Sequence, residues 1–191
     1  DKRTKRPDIP KADRTHWAYQ PPRNPETPTV AGKAWGKSDV DHFILAKLEM
    51  NRMAPSPDAE PQVLLRRLHF DGVGLPPSPA AIERFRRRIV AEDWDAALAA
   101  EVDELLASPR FGEKWGRHWL DVARFGESSG GEANISFPHA WRYRDYVIDC
   151  LNADTPFNRF LLEQIAGDLL PYKDQSERVR LLIATGFLAI G

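Results

Sequence analysis

Among the Ser-Pro and Thr-Pro dipeptides of this chain, three stand directly ahead of apolar residues spaced three and four apart. They are Ser78-Pro79, Ser108-Pro109 and Thr155-Pro156. A Ser or Thr hydroxyl accepts a hydrogen bond from the first turn of a helix, and proline is tolerated at the first helical position. The pattern therefore predicts successive helices that begin at these three prolines.

Two further helix starts are predicted from acidic and hydroxyl residues. Ser38 with Asp41 resembles a capping box, and Asp58 is placed to cap the helix that follows it. The apolar tail 179–190 fits either a helix or a strand. We expect an all-α fold, an irregular multi-helix bundle with an extended proline-rich N-terminal arm.

The N-terminal 37 residues differ in composition from the rest of the chain. Six prolines lie between Pro7 and Pro28, and Lys and Arg outnumber the acids. Proline fixes φ and removes a backbone donor, which keeps such a segment extended. We therefore expect a basic proline-rich arm or linker over 1–37 and a helical domain over 38–191. We also expect the domain to continue beyond 191 in the native protein.

Composition excludes several kinds of site. The net charge of −1 gives no general case for nucleic-acid binding, and Cys150 is the only cysteine. An internal disulfide and a cysteine-clustered metal site are therefore excluded, and Cys150 is predicted to lie in the core. No apolar run reaches the roughly 18 residues of a membrane helix. We expect no cofactor in this chain, no nucleic-acid partner and no membrane span.

One histidine interrupts an apolar helical stripe. In the helix predicted from residue 109 to about 125, His118 lies between Trp115 and Val122 at three- and four-residue spacing. We expect its imidazole to be largely buried and to need a polar partner. Gln164 lies on the apolar face of a later helix and Asp168 follows one turn on. The sequence therefore predicts that His118, Gln164 and Asp168 meet.

The candidate ligand-binding or network residues of this region carry polar or aromatic side chains where apolar ones are expected. They are His118, Trp119, Asp121, Arg124, His139, Trp141, Arg142, Arg144, Asp145, Gln164 and Asp168. By contrast, the arginine cluster at 84–88 is interpreted as the solvated face of a helix whose apolar stripe is buried.

Three interpretations of the candidate residues remain open. The first is a buried network in which carboxylates orient the histidine and pair with arginines. The second is an anion or sugar pocket, with arginine forks for an anion and tryptophan rings for a sugar face. The third is a metal site, for which the donors are His118, Asp121, Glu127, Glu132 and His139. It is the weakest pattern, so no metal ligand and no catalytic residue is assigned.

Four ordered segments carry a family resemblance. They are HWAYQPP at 16–22, LLRRLHFDGVGLPPSP at 64–79, LLASPRFGEKWGRHWLDVARFGES at 105–128 and AWRYRDYVIDCLNADTPFNRFLLEQIAGDLLP at 140–171. The set resembles the uncharacterised domain that accompanies planctomycete cytochrome-c-like modules in large exported bacterial proteins. The candidate residues, except His139, match the motif positions of that family. The sequence departs from the family pattern at 129–131, where it reads Ser-Gly-Gly.

The resemblance implies a context rather than an activity. It implies export to the periplasm or cell envelope, with haem only in a neighbouring cytochrome-c-like module and a second domain at the C-terminal side. We expect a non-catalytic recognition or scaffolding module whose partners are these domains and an anionic or carbohydrate ligand such as a glycan. The alternative is an enzyme acting on an extracellular polymer, with His118 as base or metal ligand.

Overall fold

The computed structural model describes residues 15–32, 35–130, 132 and 134–190, and every regular element in them is helical. An isolated antiparallel bridge joins Ser128 and Ser136. The predicted all-α fold is therefore confirmed. The helices are α1 (Asp39–Met50), α2 (Pro61–Val73), α3 (Pro79–Ala91), α4 (Trp94–Leu106), α5 (Pro109–Val122), α6 (Trp141–Asn152), α7 (Phe157–Ala166), α8 (Gln175–Ala184) and α9 (Phe187–Ile190), with 3-10 turns at Trp17–Tyr19 and Gly167–Leu169.

The chain divides into two compact units, 1–58 and 59–191, so α1 is grouped with the N-terminal segment. The boundary predicted at 37/38 stays a prediction. No helix in the described residues is both long and apolar enough to cross a membrane. The apolar tail is helical, in α8 and α9.

The predicted helix starts are mostly confirmed. Ser38 and Asp41 form the capping box of α1, and the hydroxyls of Ser78 and Ser108 cap α3 and α5. Thr155 and Asp58 do not cap. Helix α7 begins after Pro156 and α2 after Glu60, and neither has a side-chain cap. Pro61 is the first residue of α2 and Pro156 directly precedes α7, so a proline marks each start without a capping hydroxyl.

In the first unit, the segment before α1 folds back on that helix. The backbone N–H groups of Ala31 and Gly32 donate to the Glu49 carboxylate at 3.0 and 3.1 Å. Val30 and Leu45 are buried there. The apolar stripe that follows the capping box is exposed instead, and its members are Val40, Phe43 and Ile44.

The second unit contains two apolar clusters. Leu65, Phe85 and Ala97 form the first, between α2, α3 and α4. The second lies among the five helices from α5 to α9. Its buried members are Tyr143, Tyr146, Val147, Cys150, Phe160 and Ala184. The prediction that Cys150 lies in the core is confirmed. Helices α5 and α6 make the most extensive helix pair of the unit.

Glycines set the distance between α5 and α6. A Cβ atom on Gly112 would lie 2.5 Å from the carbonyl oxygen of Ile148, and one on Gly116 would lie 3.3 Å from the Ile148 side chain. The Asn152 side chain accepts from the Gly112 N–H at 2.8 Å and donates to the Pro109 carbonyl at 3.1 Å. The two backbones therefore approach as closely as glycine permits.

Candidate functional site

Gln164 is the centre of a buried hydrogen-bond network. Its side-chain oxygen accepts from the Trp119 indole N–H at 3.0 Å and from the Tyr143 hydroxyl, and its amide donates to the Phe160 carbonyl at 3.0 Å. Burial raises the pKa of Tyr143 to about 12, so its phenol stays protonated and able to donate. Two of the candidate residues, Trp119 and Gln164, therefore meet in the core.

His118 does not join this network. It is exposed, on the same face of α5 as Trp115 and Val122, which are 42% and 76% exposed. The buried face carries Gly112 and Gly116 instead. The prediction of a buried His118 is therefore wrong, because the stripe of large side chains was taken as the packing face while α6 packs against the glycine backbone.

The predicted meeting of His118, Gln164 and Asp168 does not form. Asp168 is exposed, and the ring contact of His118 is with Trp115, at 5.3 Å between centroids. Within the described residues, the His118 side chain makes no hydrogen bond or ion pair. His118 stays apart from Gln164 and Asp168 because it lies on a face of α5 that points away from α7.

The remaining candidates lie on the surface. Arg144 pairs with Glu127 and Asp145, each at 3.0 Å, and the Arg142 guanidinium lies 5.1 Å from the centre of the Trp141 ring. Exposed ion pairs of this kind stabilise a protein by at most about 1 kcal/mol. Three further candidates are exposed, namely Asp121, Arg124 and His139. Of these, Arg124 has a φ of 56° at the end of α5.

A carboxylate that the sequence analysis did not single out organises the other end of the core. Glu163 on α7 is 1% exposed and accepts from the Tyr146 hydroxyl at 2.9 Å. Arg180 on α8 donates both terminal nitrogens to it, at 2.6 and 2.7 Å, and Arg159 donates Nε at 2.7 Å. A buried carboxylate with two guanidiniums and a phenol keeps its charge without losing hydrogen bonds.

The charges of this cluster shift the pKa values of its members. Burial raises the pKa of Glu163, but the hydrogen bonds from Arg180, Arg159 and Tyr146 outweigh burial and hold it below 4.5. The same pairing raises the pKa of Arg180. Burial raises the pKa of the Cys150 thiol beside them, so the thiol stays protonated at neutral pH.

A cleft opens beside this cluster. Its volume is about 720 Å³, and it lies between α6, α7 and α8. Among the residues that line it are Tyr146, Cys150, Arg159, Tyr172, Lys173 and Arg180. Three cations, three carboxylates and two tyrosines therefore line one cavity, and such convergent polar groups can orient a small molecule.

A second buried carboxylate links α2, α3 and α4. Glu101 is fully buried, and its Oε1 lies 3.0 Å from Nε2 of His69. Arg88 reaches Glu101 at 3.5 Å and also pairs with Glu104, whose pKa its hydrogen bond lowers. Arg84 donates to Glu104 at 2.7 Å. The interpretation of the 84–88 arginines as the solvated face holds for Arg84, Arg86 and Arg87, which are exposed. It is wrong for Arg88, whose side chain is 23% exposed because it packs against the acids of α4.

No group of three or more His, Cys, Asp and Glu side chains in the described residues is arranged to hold a metal ion. Glu127 and Asp145, two of the acids near the candidate residues, are paired with Arg144. The donors proposed for a metal therefore do not form a cluster within this part of the chain.

A comparison with protein families gives one match. Residues 39–191 match PSCyt2, which is described as a protein of unknown function (DUF1549). The chain belongs to this family. No curated protein and no solved structure matches it. The PSCyt2 match starts at the first residue of α1 and includes both buried carboxylates, the Gln164 network and the cleft.

The amino-acid sequence gives only a partial signal for the site residues that the sequence analysis missed. Arg159 and Glu163 are four apart on one helix, a spacing that usually indicates a surface pair. Arg180 and Glu163 lie on different helices, and 32 residues separate His69 from Glu101. Local periodicity cannot detect such pairs, because they form only when the helices pack.

Proposed function

We propose that this chain is a non-catalytic recognition and scaffolding module of a larger exported bacterial protein. It works beside a cytochrome-c-like module, which carries the haem, and a C-terminal domain, in the periplasm or cell envelope. Its ligand is anionic or a carbohydrate. The family resemblance supplies this context, and the arrangement of polar groups supports the role.

The main support is that the buried polar side chains form hydrogen bonds and ion pairs with one another. Gln164 bonds Trp119 and Tyr143, and Glu163 bonds Tyr146 and two arginines. Every buried side-chain nitrogen and oxygen in the described residues has a hydrogen-bond partner. Groups whose hydrogen bonds are used inside the core fix how helices pack, which is the role expected of a scaffold.

Exposed aromatic side chains give the chain contact area. Trp141 is 44% exposed and Phe157 is 65% exposed, and both lie in the second unit. Large apolar side chains at a surface favour contact with another protein or with a sugar ring. They therefore support a role in recognition.

One observation favours the alternative of an enzyme acting on an extracellular polymer. His118 is accessible to solvent and lies against the Trp115 ring, where a base or ligand and a sugar platform would be adjacent. A histidine base is normally oriented by a neighbouring carboxylate. The described contacts of His118 include no carboxylate, so the scaffold remains the better supported function.

The test compares binding and turnover in the same preparations. The chain and its His118→Ala variant are assayed for binding to the cytochrome-c-like module of the same protein, and for release of reducing ends from acidic and neutral polysaccharides. We expect both forms to bind the module and neither to cleave polymer. His139→Ala serves as the control, since His139 is equally exposed.

Two outcomes would contradict the proposal. Polymer cleavage that disappears in His118→Ala but persists in His139→Ala would establish the enzyme. Failure of the wild-type chain to bind the module would remove the scaffolding role.

A further inference from the structure

The cleft beside Glu163 has the chemistry of a binding site. We propose that it binds a hydroxylated organic carboxylate, the chemistry of an acidic sugar, through Arg159, Lys173 and Asp149. The inference deepens the recognition role proposed above and rests on it, because it names the ligand class and the surface that takes the ligand.

The first argument concerns which charges of the cleft remain available. Glu163 is committed to two arginines, and Glu177 accepts the Lys173 backbone N–H at 2.7 Å at the start of α8. Arg180 uses both terminal nitrogens on Glu163. The charged groups with free bonding capacity are therefore the cations Arg159 and Lys173 and the acids Asp149 and Glu177, because one backbone hydrogen bond leaves acceptor sites free on Glu177.

The second argument concerns the geometry of Arg159. Its Nε donates to Glu163 at 2.7 Å, and within the described residues its two terminal nitrogens make no hydrogen bond. The side chain is 37% exposed and lines the cleft. A guanidinium with a free pair of terminal nitrogens matches the two oxygens of a planar carboxylate. Glu163 holds Arg159 at its other edge and so limits its motion.

The third argument concerns the rest of the cleft. Asp149 is exposed at its wall and has no ion pair among the described side chains, so it can accept a hydrogen bond from a ligand hydroxyl. Tyr172 is 48% exposed and, with Pro171, forms an apolar part of the lining. A volume of about 720 Å³ accommodates a sugar ring with its substituents. Cation, hydroxyl acceptor and apolar wall together fit a sugar acid better than a bare inorganic anion.

The experiment is calorimetric titration of the whole chain with D-glucuronate, D-glucose and inorganic sulfate at one ionic strength. We expect glucuronate to bind measurably more tightly than glucose or sulfate. Arg159→Gln and Lys173→Gln are each expected to weaken glucuronate binding about tenfold, the usual loss for one charge-assisted contact. Lys173→Gln leaves the Glu163 cluster untouched, and in Arg159→Gln that carboxylate still has Arg180 and Tyr146.

The control is Arg86→Gln, which makes the same charge change at an exposed arginine that does not line the cleft. Equal weakening in this control would mean general charge attraction and would overturn the proposal. The proposal would also be overturned if glucuronate bound no better than glucose or sulfate. The same holds if the two cleft variants bound glucuronate as tightly as wild type does.

The same proteins are tested for binding to the cytochrome-c-like module. If the chain binds the module but not glucuronate, the proposed ligand site in the cleft is rejected and the scaffolding role stands. If the chain binds glucuronate but not the module, the scaffolding role is rejected and the proposed ligand site in the cleft is supported.

Discussion

At the scale of single residues, the chain holds the Glu163 carboxylate ionised inside a helical core. Glu163 is 1% exposed, yet its pKa lies below 4.5 because two guanidiniums and a phenol donate to it. Gln164, the next residue, is equally buried but neutral, and it pairs with Trp119 and Tyr143. Adjacent positions on α7 therefore anchor two separate sets of contacts.

Replacing Glu163 by glutamine should reduce stability at neutral pH. Glu163→Gln keeps the shape of the side chain but leaves Arg180 and Arg159 without their anion. We expect the free energy of unfolding to fall by about 2–3 kcal/mol, less than the roughly 3–5 kcal/mol of a fully buried pair. The reason is that the two arginine side chains are 40% and 37% exposed. Urea unfolding at pH 7 measures the change.

The pH dependence of the same variant follows from the lowered pKa. A carboxylate with a depressed folded pKa stabilises the protein above its unfolded pKa, and the stabilisation is lost as pH falls through the folded pKa. Wild type should therefore lose more stability than Glu163→Gln as the pH falls below about 4.5. Glu113→Gln, which breaks the exposed pair with Arg110, is the control and should keep the wild-type dependence. An unchanged acid profile in Glu163→Gln would show that Glu163 is not ionised in the core.

At the scale of helices, glycines rather than large apolar residues determine how α5 meets α6. Gly112 and Gly116 are buried while Trp115 and Val122 are exposed. With only hydrogen at Cα, the α5 backbone contacts α6 directly, and Asn152 bonds the first turn of α5. The close approach leaves no room for a side chain at position 112.

Alanine at the two glycines should therefore have unequal effects. In Gly112→Ala the new methyl would lie 2.5 Å from a backbone oxygen that cannot rotate away. We expect a loss of about 2–3 kcal/mol, since overpacking outweighs the roughly 1 kcal/mol gain in helix propensity. Gly116→Ala meets only the Ile148 side chain at 3.3 Å and should change stability by less than about 1 kcal/mol. Thermal unfolding by circular dichroism compares them, and equal losses would contradict the glycine-limited packing.

The helices were more predictable from the sequence than their faces and ends. Ser38, Ser78 and Ser108 act locally, so their caps could be read from neighbouring residues. Helix ends were harder to predict. Arg124 and Asp154, two residues after the ends of α5 and α6, have left-handed conformations for which glycine is the usual signal.

The candidate site was predicted in part for the same reason. Trp119 and Gln164 were selected, and they bond each other in the core. His118 was predicted to lie in the core because it falls on the apolar stripe of α5, whereas the buried face of that helix carries Gly112 and Gly116. The Arg180–Glu163 pair was missed because it joins separate helices. Periodicity describes one helix at a time, and these contacts depend on which faces pack.

At the scale of the whole molecule, the two compact units differ in how much core they contain. The unit at 59–191 holds both apolar clusters and both buried carboxylates. In the described part of the unit at 1–58, the buried apolar side chains are Val30 and Leu45. A chain this short with so small a core has little to offset its conformational entropy. The two units should therefore differ in their ability to fold alone.

Expression of residues 59–191 alone tests this difference. We expect a helical fragment with a cooperative thermal transition, within about 5 °C of the full chain, because its clusters are internal to the unit. The matched fragment 1–58 should show no cooperative transition. Circular dichroism melts of the three proteins provide the comparison. If fragment 59–191 lost its transition, or melted far below the full chain, the first unit would have to stabilise the second, and α1 would then be part of one cooperative domain.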